Sequence, residues 1–136
     1  AAIEGGSYGV AFSSGMAGVD SCLKLLGSGD HVICSDDVYG GTSRHFNRLL
    51  VNYNMHFSYV DSQDAANVEA AIRPETKMIW IETPTNPLLR ITDLDAVGKI
   101  AKKHDLLYVV DSTFATPVFL KPLEYGVDIV LHSTTK

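Results

Sequence analysis

The sequence predicts an α/β fold built on a mostly parallel, doubly wound sheet. Two observations carry that prediction. Short β-branched or apolar runs alternate along the chain with longer stretches of helical periodicity, the pattern of strand–helix–strand units rather than of hairpins. The run Met78-Ile79-Trp80-Ile81 is apolar without alternation, which suits a strand covered on both faces and not one with a wet side. With 136 residues, 46% of them hydrophobic and 20% charged, the chain has the size and composition of one globular domain and is too apolar for disorder.

Each element has its own signal. Tyr8-Gly9-Val10-Ala11-Phe12 reads as a first strand. A helix begins near Met16, with Met16, Val19, Leu23 and Leu26 on one face, and Gly27 and Gly29 stop it. His31-Val32-Ile33-Cys34 is the next strand, Tyr39-Gly40-Gly41-Thr42 a turn, and a helix is expected from Ser43 to Val51. Phe57-Ser58-Tyr59-Val60 is another strand. Asp64 can cap a short helix whose Ala65, Val68 and Ile72 share a face, and Pro74 cannot continue it. After the Met78–Ile81 run, Glu82-Thr83-Pro84-Thr85-Asn86-Pro87 reads as a loop held extended by its prolines. Thr92 is the expected cap of the following helix, with Asp95 three residues on and Leu94, Val97 and Ala101 facing inward. Leu107-Tyr108-Val109-Val110 is a strand ending at Asp111, and Ile129-Val130-Leu131 a last one after a turn around Pro122. Both ends read as cut: Ala1 is not an initiator Met, and Lys136 follows a strand-like run with no closing element.

Composition excludes several function classes. A net charge of −5 argues against nucleic acid as a partner, which would need clustered Lys and Arg. No apolar run approaches the roughly 20 residues that span a bilayer, so no membrane partner is expected. Cys22 and Cys34 have neither metal-ligand spacing nor a disulfide framework; they read as inert core residues in a reducing, cytoplasmic setting, and no metal is expected. His31, His45, His56 and His104 show no partner pattern and read as surface or helix-end residues, while His132 fits either a core edge or a supporting role at a site.

In open α/β sheets ligands sit at the carboxyl ends of the strands. The residues at those ends are Ser13, Ser14, Gly15, Asp36, Tyr39, Glu82, Asn86, Asp111, Thr113, His132, Ser133, Thr135 and Lys136. Ser13-Ser14-Gly15-Met16 joins a strand to a helix start, where orphaned N–H groups favour an anion and glycine admits a phosphate closely. The same four residues would also serve as a plain N-cap and tight turn. Lys136 follows an apolar strand, and a desolvated lysine is a nucleophile toward carbonyls. A cofactor carrying a phosphate, an aldehyde and a basic ring nitrogen would use the helix start, Lys136 and Asp111 in turn. Pyridoxal 5′-phosphate (PLP) is such a cofactor. A rival stands beside it. Ala11-Phe12-Ser13-Ser14-Gly15 is close to a nucleophile elbow, and Asp111 and His132 follow in the order of an α/β serine hydrolase, although that reading leaves Lys136, Asn86 and Tyr39 without roles.

The sequence resembles the fold-type I PLP enzymes of cysteine and methionine metabolism, the cystathionine γ-lyase and γ-synthase family. The matching stretches are Ala11-Phe12-Ser13-Ser14-Gly15-Met16, Asp36-Asp37-Val38-Tyr39-Gly40-Gly41-Thr42, Trp80-Ile81-Glu82-Thr83-Pro84-Thr85-Asn86-Pro87, Val110-Asp111-Ser112-Thr113-Phe114 and His132-Ser133-Thr134-Thr135-Lys136, in family order over nearly the whole chain. The resemblance implies that residues 1–136 are a portion of the large PLP-binding domain of an aspartate aminotransferase-like fold, with an N-terminal segment and a C-terminal small domain lying outside them. It implies that Lys136 holds PLP and moves protons, that Asp111 pairs with the pyridinium nitrogen, and that Tyr39 stacks on the ring. Asn86 would meet the ring hydroxyl and Thr113 support the ring. Gly15 and Met16 N–H groups, with the Ser133 and Thr135 hydroxyls, would hold the phosphate. Lys136, Tyr39 and Asp111 are then the catalytic set. The implied activity is cleavage of cystathionine to cysteine, 2-oxobutyrate and ammonia by a cytoplasmic dimer of dimers, with γ-synthase and β-lyase activities as the alternatives within the family. Gly41 stands where methionine γ-lyases usually carry Cys, which argues against that branch.

Overall fold

The computed structural model describes residues 1–135. Five parallel strands form one sheet in the order β2-β1-β3-β4-β5. They are β1 (His31–Ser35), β2 (His56–Val60), β3 (Thr76–Glu82), β4 (Leu107–Asp111) and β5 (Ile129–Leu131). Helices α1 (Gly15–Leu23), α2 (Gly40–Arg48), α3 (Ala65–Ala70), α4 (Leu94–Lys103) and the single-turn α5 (Thr116–Phe119) connect them.

The inner strands β1, β3 and β4 have no polar alternation because both faces are dry. On one face Val32, Cys34, Met78, Trp80 and Val109 pack with Val19 and Leu23 of α1 and Phe46 of α2. On the other, Ile33, Ile79, Ile81, Tyr108 and Val110 pack with Val68 of α3 and Leu94, Val97 and Ala101 of α4. Alternate residues of one strand thus serve opposite layers, and the sheet is doubly wound as expected. Trp80 is fully buried and meets the edge of Phe46 at 5.6 Å, while Phe46 stacks on Phe57 at 4.7 Å. Replacing a side chain so enclosed by Ala typically costs about 3–5 kcal/mol.

Local signals were followed in most places. Ser14 accepts the Ala17 N–H and opens α1, and Asp64 accepts the Ala66 N–H and opens α3. Both cysteines are free and buried, and burial pushes both thiols up.

Several expectations need correction. Tyr8–Phe12 is not a strand: it pairs with none of the five, and Tyr8, Val10 and Phe12 are exposed. Helix α1 ends at Leu23, before Gly27 is reached, and turns carry the chain on to Leu26. The helix expected over Ser43–Val51 starts at Gly40 and stops at Arg48, a 3-10 turn taking over at Leu50–Tyr53. Asp93, not Thr92, caps α4 by accepting the Ala96 N–H. The Thr92 hydroxyl is already engaged with Ser62, and its N–H donates to Thr83 Oγ1. The loop after β3 is not extended. Its Thr83–Pro84 and Asn86–Pro87 bonds are cis, and it doubles back through Thr85 N–H to Arg90 O and Leu89 N–H to Thr85 O. His31 is no surface residue but fully buried at the start of β1.

Candidate active site

The strand order reverses between β1 and β3, and ligand crevices of doubly wound sheets open at such points, outside the carboxyl ends. A cavity of about 180 Å³ lies there. Gly15 and Met16 from the start of α1, Tyr39 after β1, Asn86 after β3, Asp111 and Thr113 at the end of β4, and Ser133 and Thr135 after β5 all line it. Every described residue to which the resemblance gave a cofactor role is therefore brought to one place, whereas His132 does not line the cavity. Lys136 lies outside the described residues.

Asp111 ends β4, in register with Glu82 of β3 and Leu131 of β5, and is 7% exposed. The Thr113 N–H and hydroxyl both donate to its Oδ1, at 3.0 and 2.6 Å. Among the described residues no hydrogen bond reaches Oδ2. Burial raises the pKa of this carboxyl, and the two bonds from Thr113 and the nearby His132 oppose the rise. The Thr113 hydroxyl also accepts the Ser133 N–H at 2.9 Å, so one side chain ties the carboxylate to the loop after β5.

At the start of α1, Ser14 uses its hydroxyl on Ala17 N–H and its carbonyl on Gly18 N–H. The Gly15 and Met16 N–H groups precede the helical ladder and are left pointing out of it. Facing them, the Ser133 and Thr135 hydroxyls lie 2.8 Å apart. A Cβ on residue 15 would stand 2.9 Å from both Cβ and Oγ of Ser133; only glycine lets the two segments close on one another.

Tyr39 caps α2 at the cavity wall. A Cβ on Gly41 would fall 2.5 Å from the Tyr39 ring, so any side chain at 41 displaces that ring. The Asn86 loop is pinned by acids that sequence reading left unassigned. Asp37 accepts the Thr85 hydroxyl and the Leu88 N–H, and Asp36 pairs with Arg90 through both oxygens at 3.1 Å. Glu82, expected at a strand end but given no definite role, also lines the cavity, and so does Thr42, which was not among the expected site residues. Thr42 is 1% exposed with a buried hydroxyl that has no partner among the described residues, and Glu82 accepts the Tyr39 N–H at 2.8 Å. Motif position was the one signal for Thr42, since it sits inside a quoted stretch.

The serine hydrolase geometry does not form. His132 pairs with the Glu4 carboxylate, Ser13, the serine of the elbow, is exposed and does not line the cavity, and Asp111 Oδ1 is taken by Thr113.

Comparison with known proteins gives the frame. The sequence model of the "Cys/Met metabolism PLP-dependent enzyme" family matches residues 1–136. The chain belongs to this family. It is similar to cystathionine γ-lyase of Bacillus subtilis, with 54% identity over 98% of this chain and 35% of that protein. Cystathionine β-lyase MetC of the same organism is 49% identical over 100% of this chain and 35% of that protein. The crystal structure of cystathionine γ-lyase from Lactobacillus plantarum complexed with L-serine superposes with a TM-score of 0.95, at 53% identity, covering 96% of this chain and 34% of that one. The chain thus spans about a third of the length of these relatives.

The donor set fits the family's cofactor. An anion-ready helix start with two hydroxyls and a buried carboxylate with one oxygen open line the same cavity. An aromatic ring and an amide side chain line it too. Among the described residues no cluster of His, Cys, Asp and Glu could hold a metal ion, and no helix is long and apolar enough to cross a membrane.

Proposed function

We propose that the protein to which this chain belongs is a PLP-dependent carbon–sulfur lyase of trans-sulfuration that converts cystathionine and water to cysteine, 2-oxobutyrate and ammonia by α,γ-elimination. The observation that carries this reading is the half-engaged Asp111 carboxylate in a cavity that the start of α1 also lines. Family membership and the 54% and 53% identities to γ-lyases support it. A β-lyase or γ-synthase activity is the second reading, supported by relatives of those names at 49% and 45%.

Bound PLP supplies an electron sink that makes the substrate Cα proton acidic. The chain's own residues do the rest. Gly15 and Met16 N–H groups with Ser133 and Thr135 hold the phosphate, where the helix dipole favours negative charge. Asp111, aimed by Thr113, holds a proton on the ring nitrogen; a dry, fixed carboxylate does this better than water. Tyr39 covers the ring and Asn86 meets its hydroxyl. Lys136 directly follows Thr135 in the sequence; it carries the cofactor and moves protons at Cα and Cβ of the substrate. Residues 1–136 form a portion of the PLP-binding domain in this reading, and the whole protein is a cytoplasmic homo-oligomer acting on a small amino-acid substrate.

The test is Lys136→Ala in the full-length protein, followed by product analysis with cystathionine. Loss of turnover is expected, and retained turnover would reject the assignment. In the unaltered enzyme 2-oxobutyrate with cysteine marks the γ-lyase, and pyruvate with homocysteine marks the β-lyase.

A further inference from the structure

Glu82 has no place in the chemistry above, yet its surroundings are unusual. It ends the central strand of the sheet, is 6% exposed, and lies in register beside Asp111. Two carboxylates at adjacent strand ends repel, and a buried one loses its hydration. A residue placed there at such a disadvantage needs a compensating role. The hydrogen bonds show it. Glu82 Oε2 accepts the backbone N–H of Tyr39 at 2.8 Å, and the backbone N–H of Asn86 acts on the same carboxylate. Its own N–H reaches toward Ser35 Oγ at 3.4 Å, so it sits where β1, β3 and β4 end together. Burial pushes its pKa up to about 7, the N–H groups of Tyr39 and Asn86 hold it down, and the charges of Asp111 and Asp37 add to the rise.

We propose that Glu82 is a positioning residue: its side chain spans from the end of β3 to the Tyr39 amide and so fixes the loop that carries the Tyr39 ring at the cavity wall. Reach is what matters, because the bond is to a backbone N–H whose acceptor must stand at one point. Gln keeps an oxygen at that point without the charge. Asp keeps the charge but is one methylene short. The inference rests on the PLP reading where cofactor affinity is concerned, and not where the amide itself is observed.

The experiment uses the full-length protein and its Glu82→Gln and Glu82→Asp variants. Hydrogen–deuterium exchange is followed by mass spectrometry on a peptide covering residues 37–42, with β4 peptides as the internal reference for folding. The dissociation constant for PLP is measured by spectrophotometric titration of the apo-protein. Glu82→Gln should keep wild-type protection and affinity. Glu82→Asp should exchange the Tyr39 amide about tenfold faster and bind PLP about tenfold more weakly, the scale of one hydrogen bond. Faster exchange in Glu82→Gln, or undiminished protection in Glu82→Asp, overturns the proposal, since either would make the charge and not the reach decisive. If Glu82→Asp loses protection in β4 as well, the Gln variant decides alone. Failure of the wild type to bind PLP would sink the cofactor reading and leave the exchange data to judge the latch.

Discussion

The two ends of the sheet hold similar residues and treat them in opposite ways. At the amino end, buried His31 is answered on both ring nitrogens, by Thr76 Oγ1 at 2.7 Å and Ser58 Oγ at 2.9 Å. Those hydroxyls in turn accept the Arg73 backbone N–H and guanidinium, at 2.8 and 2.9 Å. The nearby hollow is lined by Arg73 and His104, and His104 is itself paired with Glu69. At the carboxyl end, among the described residues, one oxygen of Asp111 is engaged, the Thr42 hydroxyl has no partner, and the first N–H groups of α1 lie outside the helical ladder. Buried polar residues alone therefore do not distinguish a site from a brace. Unanswered hydrogen-bonding capacity converging on one cavity does, because folded proteins rarely leave buried polar groups unsatisfied without a ligand in prospect.

Three measurements sharpen this contrast. The largest effect is expected for Asp111→Asn in the full-length enzyme. Loss of a preorganised charge should lower kcat/KM by about 10²–10³-fold. Thermal stability should hold or rise, because burial already disfavours the charged form of this carboxyl. A variant with unimpaired turnover would dissolve the distinction between the two ends. His31→Ala should do the reverse. It strands Thr76 and Ser58 and should cost about 2 kcal/mol of stability in denaturant titration, with PLP affinity unchanged.

The smallest effect is in the pH dependence of unfolding, where the ends should have opposite slopes. Glu82 titrates near 7 in the fold against an ordinary 4.5. The folded state therefore binds more protons between those values, and stability falls as pH rises through them. His31 is held below its ordinary 6.5 by burial and by Arg73. Its contribution is present above that value and is lost as pH falls, because the unfolded chain gains the proton first. Relative to wild type, Glu82→Gln should gain stability as pH is raised from about 4.5 to 7, and His31→Ala should lose least at the acid end. Parallel curves for both variants would refute the assignment.

How far these features were legible depends on the range of the interaction. The β1, β3 and β4 runs could be read because a strand dry on both faces announces itself in local composition. Asp64 could be read as a cap because its partner Ala66 is two residues away. The Thr92 expectation failed between adjacent candidates: Asp93 took the cap because Ser62, thirty residues distant, occupied Thr92. Tyr8–Phe12 has strand propensity, but a strand exists only with a neighbour to bond. The burial of His31 hangs on partners 27 and 45 residues off, and the contact of Glu82 with Tyr39 on one 43 residues off. No local pattern encodes such distances. The residues gathered at the cavity were legible through their common placement at strand ends, while the acids pinning the Asn86 loop were not, because their partners come from a different connection of the sheet.

The Thr113 hydroxyl gives its proton to Asp111 and takes one from the Ser133 amide. This makes the cavity a caliper with a single hinge pin. Its two jaws, one acidic and one lined by hydroxyls, keep a set opening, and neither can shift without dragging the other. A change at Thr113 is thereby felt on both sides at once, at the carboxylate and at the loop that carries the Ser133 hydroxyl.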